Sequence, residues 1–145
     1  MIRLEPIGPD NWREPLEVYE EQQHFVSGPN KILARAYAYR EQRSQAKLIF
    51  DDETPVGMLM WYDYPEQERY IFSQLLIDKR YQHRGFGMEA ARLALDEMRA
   101  DGRYPKVVLC YITGNEAART LYERLGFHPV GEPDGDENIM VLDQL

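Results

Sequence analysis

Leu75-Leu-Ile-Asp-Lys-Arg-Tyr-Gln-His-Arg-Gly-Phe-Gly-Met-Glu89 is the stretch on which the fold turns. An apolar strand ends near Ile77, a polar turn follows, and Gln82-x-x-Gly85-x-Gly87 leads into a helix running from Gly87 to about Ala100. Glycines let the chain turn tightly and let backbone N–H groups approach a ligand without a Cβ in the way. The first N–H groups of a helix lack internal acceptors and sit at its positive end. Strand, glycine turn and helix start therefore form a backbone cradle for an anion, with a phosphate or pyrophosphate as the natural guest. Taken alone, a Gly-x-Gly turn is also compatible with a purely structural role. No Gly-Lys-Ser/Thr follows, so it is not a P-loop, and the full dinucleotide-binding spacing is absent. Lys79, Arg80 and Arg84 flank the turn as further phosphate contacts.

Working outward, the pattern is a mixed α/β sheet. Ile2, Leu4 and Ile7 read as a first strand before Gly8-Pro9. Trp12, Leu16 and Tyr19 fall at helical spacing after a capping Asp10 or Asn11, with Pro15 in the first turn and a break at Ser27–Asn30. A second helix is expected from Lys31 to about Arg43, with Ile32, Ala36 and Tyr39 on one face. Lys47–Phe50 and Pro55–Tyr62 read as strands joined by an acidic turn, and Tyr70–Ile77 as a fourth strand. Lys106–Ile112 is apolar enough for a central strand covered on both faces, with Cys110 as a small buried member. Asn115 to Leu125 reads as a helix closed by Gly126, followed by strands at Phe127–Val130 and Asn138–Leu142. The order β-α-α-β-β-β-α-β-α-β-β is not strict βαβ alternation.

The chain has 145 residues, of which 43% are hydrophobic and 29% charged. That fits one domain, residues 1–145, with a core large enough to fold without disulfides. No apolar run reaches the length of a membrane span. Met1–Ile7 lacks a signal-peptide layout. Cys110 is the only cysteine, so the cytoplasm is the expected compartment. The histidines His24, His83 and His128 have no metal-ligand spacing, and no metal is expected. The net charge of -8 argues against nucleic acid. The acids are concentrated in Asp51–Glu68 and after Arg124, while Lys79–Lys106 is locally basic. That division allows an anion at the basic segment and a cationic partner elsewhere.

Gln82-x-x-Gly85-x-Gly87 after an apolar strand resembles the acetyl-coenzyme A motif of the GCN5-related N-acetyltransferases (GNAT). A second hallmark follows Val107–Ile112. Asn115-Glu-Ala-Ala-Arg-Thr-Leu-Tyr-Glu-Arg-Leu-Gly-Phe127 is similar to that family's Asn-x-x-Ala-x-x-x-Tyr-x-x-x-Gly-Phe. The resemblance spans Val56 to the end and looks nearest to bacterial spermine/spermidine acetyltransferases. It implies a central sheet of about six to seven strands flanked by about four helices, with acetyl-CoA as co-substrate. It implies that the amides of Gln82, His83, Arg84, Gly85, Phe86, Gly87 and Met88 hold the pyrophosphate, with Arg119 within reach of phosphate. Leu75, Leu76 and Ile77 would bond the pantetheine arm through their backbone, and Asn115 through its side chain. Tyr122 would be the general acid that protonates the departing thiolate.

Such relatives often carry a strand glutamate that deprotonates the amine, and Tyr70–Ile77 holds no carboxylate. Glu20, Glu21, His24 and Asp63 are the candidates for binding or deprotonating it. The implied acceptor is a small primary amine, with a polyamine as first expectation. Amino acids, aminoglycosides or a protein N-terminus are the alternatives, and a non-catalytic acyl-CoA sensor is the reading from another class. Relatives often dimerise, and Ile139–Leu142 is the edge strand expected to serve a homodimer.

Overall fold

The computed structural model describes residues 1–145. Strands β1 (Ile2–Pro6), β2 (Gln45–Asp51), β3 (Thr54–Tyr64), β4 (Arg69–Ile77), β5 (Lys106–Ile112), β6 (His128–Pro129) and β7 (Glu137–Leu142) form one sheet. Helices α1 (Pro29–Ala38), α2 (Phe86–Asp101) and α3 (Glu116–Arg124) complete the fold. The sheet order is β1-β2-β3-β4-β5-β7-β6. Only the central β4–β5 pair is parallel. No helix is long and apolar enough to cross a membrane.

β3 is buried almost continuously from Val56 to Trp61, because both faces of the sheet are covered. Ala90, Ala91, Ala94, Leu95 and Met98 of α2 pack with Leu59, Trp61, Tyr70, Phe72 and Leu109 in one core. Small alanines bring the helix close to the strands, which removes apolar surface from water at about 25 cal/mol per Å². Ile32 of α1 and Leu16 pack with Leu48, Met58, Met60 and Leu76 in the other core.

Three expectations are corrected. First, no helix forms between Trp12 and Ser27; only a single 3-10 turn, Glu20–Gln22, is present. Leu16 is 4% exposed, but Trp12 and Tyr19 are 43% and 44% exposed, so the apparent stripe packs on nothing continuous. Pro15 biases Glu14 toward extended backbone. The backbone of Glu17 is then spent elsewhere. Its N–H donates to Asp78 Oδ2 (3.0 Å) and its carbonyl accepts from Lys79 N–H (2.7 Å). Second, α1 ends at Ala38, followed by a 3-10 turn and Arg43 in the left-handed region (φ 54°). Third, β7 lies inside the sheet between β5 and β6, so its backbone is largely used within the chain rather than left at an edge for a second copy.

Gly57 shows how tightly β3 and β4 are joined. It stands opposite Ile77. A Cβ there would drive into the Leu76 carbonyl oxygen and lie 3.0 Å from Ile77 Cδ1.

Asp63 is 4% exposed and pairs with Arg43 Nε at 2.7 Å, with Arg103 at 3.8 Å. Arg43 also bonds Asp101, which accepts from the Tyr70 hydroxyl. This network gives a pH prediction. Hydrogen bonds from Arg43 and Tyr70 hold the Asp101 carboxyl below its ordinary value of 3.8. Burial works against ionisation at Asp78, but Arg80 and the amides of Arg80 and Glu17 outweigh it and hold that carboxyl low as well. Groups of this kind stabilise the fold above their unfolded value and lose that contribution as pH falls through the folded one. Burial first, then Asp101, push the Tyr70 phenol up to about 12 from 10.0, so its contribution is present below pH 10 and lost as pH rises toward 12. The melting temperature is therefore expected to fall below about pH 4 and again above about pH 10. A flat profile through either window contradicts these assignments.

Candidate active site

β4 and β5 pair only at Arg69–Lys106, Tyr70–Val107 and Ile71–Val108. Beyond that they diverge. On the other side of β4, the register with β3 jumps from Trp61–Phe72 to Met60–Gln74, leaving Ser73 as the extra residue of a bulge. A bulge bends and twists its strand, and this one sits where β4 leaves β5. From Phe72 to Ile77, β4 thus has no strand partner on its β5 side. An unpartnered strand edge offers donors and acceptors to an extended amide chain.

The opening holds a cavity of about 820 Å³. Leu75, Leu76, Ile77, Gln82, His83, Gly85, Phe86, Gly87, Met88, Asn115 and Tyr122 all line it. Arg84, expected among these residues, is not on that wall. No backbone N–H from Gln82 to Met88 finds an acceptor within the protein. His83 (φ 64°) and Gly85 (φ 81°) are both left-handed, which turns these amides toward one concavity. Gly85 is the residue before α2, so the helix start joins the same array. The arrangement suits a multiply charged anion.

Several flanking groups are committed elsewhere. Lys79 pairs with Glu17 at 3.2 Å and Arg80 with Asp78 at 2.9 Å, which leaves Arg84 as the unpaired cation of that trio. Arg119 is held on its own helix by Glu116 at 2.9 Å and Glu123 at 3.3 Å, outside the cavity wall. Arg124 lines the cavity. The Ile77 carbonyl accepts from Gln82 Nε2 (3.0 Å). The Gln82 amide also exchanges two bonds of 2.9 Å with the amide of Gln22. Gln82 is therefore a latch that ties the cradle to the N-terminal segment.

Asn115 caps α3, its Oδ1 accepting from Ala118 N–H at 3.2 Å. Its side-chain NH₂ donates to no protein group. At the other end of α3, Phe127 N–H bonds the Tyr122 carbonyl (3.0 Å) and Gly126 N–H bonds the Glu123 carbonyl (3.0 Å). This double closure needs the left-handed Gly126 (φ 100°) and seats the Phe127 ring edge-on to Tyr122 at 5.8 Å. Leu-Gly-Phe is thus the device that orients Tyr122. Gly126→Ala is expected to cost about 1–2 kcal/mol from the forced backbone, read as a lower denaturation midpoint; an unchanged midpoint contradicts this role.

Tyr122 is 8% exposed. Its hydroxyl makes no hydrogen bond to the protein, yet no buried side-chain oxygen or nitrogen lacks a partner. The hydroxyl therefore reaches the open cavity. Burial pushes its phenol well above the ordinary value, so it carries its proton throughout the neutral range.

A second cavity of about 570 Å³ meets the first at Phe25, Val26, Ser73, Gln74 and Cys110. Of Glu20, Glu21, His24 and Asp63, only His24 lines it. Asp63 is buried against Arg43, away from both cavities. Its remaining walls include Lys31, Arg35, Tyr62 and Glu137, none of which the sequence pattern singled out, since they lie on segments far apart in the chain. Cys110 is exposed rather than buried, because the outer half of β5 lies past its last pairing with β4. Although the residue is exposed, partial withdrawal of its sulfur from water, with Glu137 second, pushes the thiol pKa up.

Residues 6–127 match the family described as Acetyltransferase (GNAT) family. No curated protein matches the sequence. Among solved structures, an acetyltransferase from Thermus thermophilus is similar at TM-score 0.73 and 23% identity, covering 97% of this chain and 96% of that one. Spermidine N-acetyltransferase from Vibrio cholerae, in complex with CoA and spermine, is similar at TM-score 0.79 and 17% identity, over 99% of this chain and 95% of that one. A GNAT family acetyltransferase from Elizabethkingia anophelis with acetyl-CoA bound is similar at TM-score 0.69 and 11% identity, over 98% and 97%. With the family match covering most of its length, the chain belongs to the GNAT acetyltransferases and is an acetyl-CoA-dependent N-acetyltransferase.

Proposed function

We propose that this chain transfers the acetyl group of acetyl-CoA to a primary amine by direct attack, with Tyr122 as general acid. The observation that carries the reading is the row of unpartnered amides from Gln82 to Met88 beside the unpartnered edge of β4, with the Tyr122 hydroxyl free in the same cavity. The amides of Gln82 to Met88 hold the pyrophosphate. On the free edge, the β4 backbone at Leu75, with the Ile77 N–H, bonds the pantetheine arm; Leu76 turns its carbonyl toward Gly57 of β3, and the Ile77 carbonyl is left to Gln82. Asn115 contributes its free NH₂ while its oxygen caps α3. Arg84 and Arg124 supply charge at the rim in place of Arg119.

The acceptor enters through the second cavity. Its ammonium first loses a proton to solvent or to His24, which takes the place of the absent strand carboxylate. The free amine nitrogen attacks the thioester carbonyl carbon, the N–C bond forms, and the C–S bond breaks. Tyr122 gives its phenolic proton to the departing sulfur and recovers one from the nitrogen. Held together, the two substrates avoid the entropy cost of a bimolecular encounter. A covalent route through Cys110 finds no support, since its thiol is held protonated. Cys110→Ala is expected to keep kcat within about threefold, with no acetylated protein by mass spectrometry.

The polyamine expectation has the spermine-bound Vibrio cholerae structure on its side. Against it, each ammonium of a polyamine calls for a carboxylate, and Glu137 is the single carboxylate on the acceptor cavity wall. The test is thiol release from acetyl-CoA across a panel of primary amines. Release above hydrolysis is expected with at least one class; acetyl-CoA binding without any release would make the chain a binding module.

A further inference from the structure

The acceptor cavity has a charge opposite to that of the protein. The chain carries -8, yet the wall of this cavity holds Lys31 and Arg35 against Glu137 alone. Arg35 is half-buried and its guanidinium makes no hydrogen bond or ion pair with any protein group, and the Lys31 ammonium makes none either. Acids of the Asp51–Glu68 stretch are used elsewhere or face solvent: Asp51 and Asp52 hold the N-terminus, Asp63 holds Arg43, and Glu53, Glu66 and Glu68 sit exposed in turns, while Glu20 and Glu21 are exposed off the cavity wall.

The placement on α1 is costly in the free protein. Lys31 and Arg35 are four residues apart, so two like charges share one face of the helix. Lys31 also lies in the first turn, at the positive end of the helix dipole, and α1 has no acid in that turn to offset it. A guanidinium half-withdrawn from water without an acceptor, beside a second cation, is a prepared site for an anion. Glu137 lines the same cavity from a different element, β7, where it can meet an ammonium.

Resting on the acetyl-transfer reading above, we infer that the acceptor is a small amine that also carries a carboxylate, as in an amino acid or short peptide, with Arg35 and Lys31 binding the carboxylate. A volume of about 570 Å³ accommodates such a molecule. The reaction is the one already written: the amine becomes an amide, and the carboxylate takes no part except to be held.

The experiment compares each standard amino acid with its α-carboxamide in the thiol-release assay, with putrescine and spermidine as cationic comparators. Amidation removes the negative charge and also lowers the basicity of the amine, which enlarges its reactive fraction. A preference for the acid therefore runs against intrinsic reactivity. The expected result is a kcat/KM at least tenfold higher for the best acid than for its amide, carried by KM. In Arg35→Gln this ratio should collapse toward one while acetyl-CoA affinity is unchanged, and Arg35→Lys should restore part of it. Amides, putrescine or spermidine accepted as well as the acids would overturn the inference and leave acetyl transfer standing. If no amine releases thiol, acetyl transfer itself fails, and calorimetric titration of the same amino acids into the protein–CoA complex decides the site. Carboxylate-dependent binding lost in Arg35→Gln supports it, and no such binding overturns it.

Discussion

Tyr122→Phe is expected to lower kcat by more than tenfold, toward the roughly 10²-fold that a positioned general acid contributes. A tenfold loss corresponds to about 1.4 kcal/mol at the transition state. The structure makes this substitution unusually clean. The hydroxyl bonds no protein group, so its removal breaks no internal hydrogen bond. The ring, set edge-on to Phe72 at 6.2 Å and Phe127 at 5.8 Å, stays in place. Stability and acetyl-CoA affinity are therefore expected to be unchanged, the first by thermal melting and the second by calorimetry. A full rate in the variant would remove Tyr122 from the chemistry. A rate lost together with acetyl-CoA affinity would make it a packing residue.

Gly57→Ala carries the largest expected effect on stability. The added Cβ meets the backbone oxygen of Leu76, which cannot swing aside as a flexible side chain would, and it also crowds Ile49 Cδ1 at 3.2 Å. Overpacking of this kind costs about 1–3 kcal/mol. For a domain of this size that lowers the melting temperature by about 2–4 °C per kcal/mol. Because Leu76 and Ile77 belong to the stretch of β4 whose opposite edge is free, the surviving fold should also bind acetyl-CoA more weakly. Gly8→Ala is the control, since a Cβ there meets nothing within 4 Å. Equal melting temperatures for the two variants would contradict the close approach of β3 and β4.

The proposed coenzyme half of the site was legible because its parts are contiguous. A cradle built from successive amides needs only Gln82 to Met88 in order, and α3 carries its own cap, its tyrosine and its glycine stop within Asn115–Phe127. Short-range rules of capping, glycine conformation and helix polarity suffice for such segments. Where the same rules met a distant competitor they failed. Trp12, Leu16 and Tyr19 have helical spacing, but Asp78, some sixty residues away, takes the Glu17 amide that a helix would need.

By itself, then, the sequence determined a mixed α/β chain with an anion cradle, a capped helix carrying Tyr122, and no strand carboxylate to act as base. Tertiary structure alone decided what lines the second cavity, the proposed entry of the acceptor. Lys31 and Arg35 come from α1, Tyr62 from β3, Cys110 from β5 and Glu137 from β7, and they share one cavity only because the sheet order brings those elements around the gap between β4 and β5. The charge of that cavity depends on which side chains remain unpaired after folding. Asp63 is as acidic in the sequence as Glu137, but it is buried against Arg43, while Arg35 is left facing the cavity without a partner. Composition sums charges over the chain, and recognition depends on the few that folding leaves unneutralised in one place.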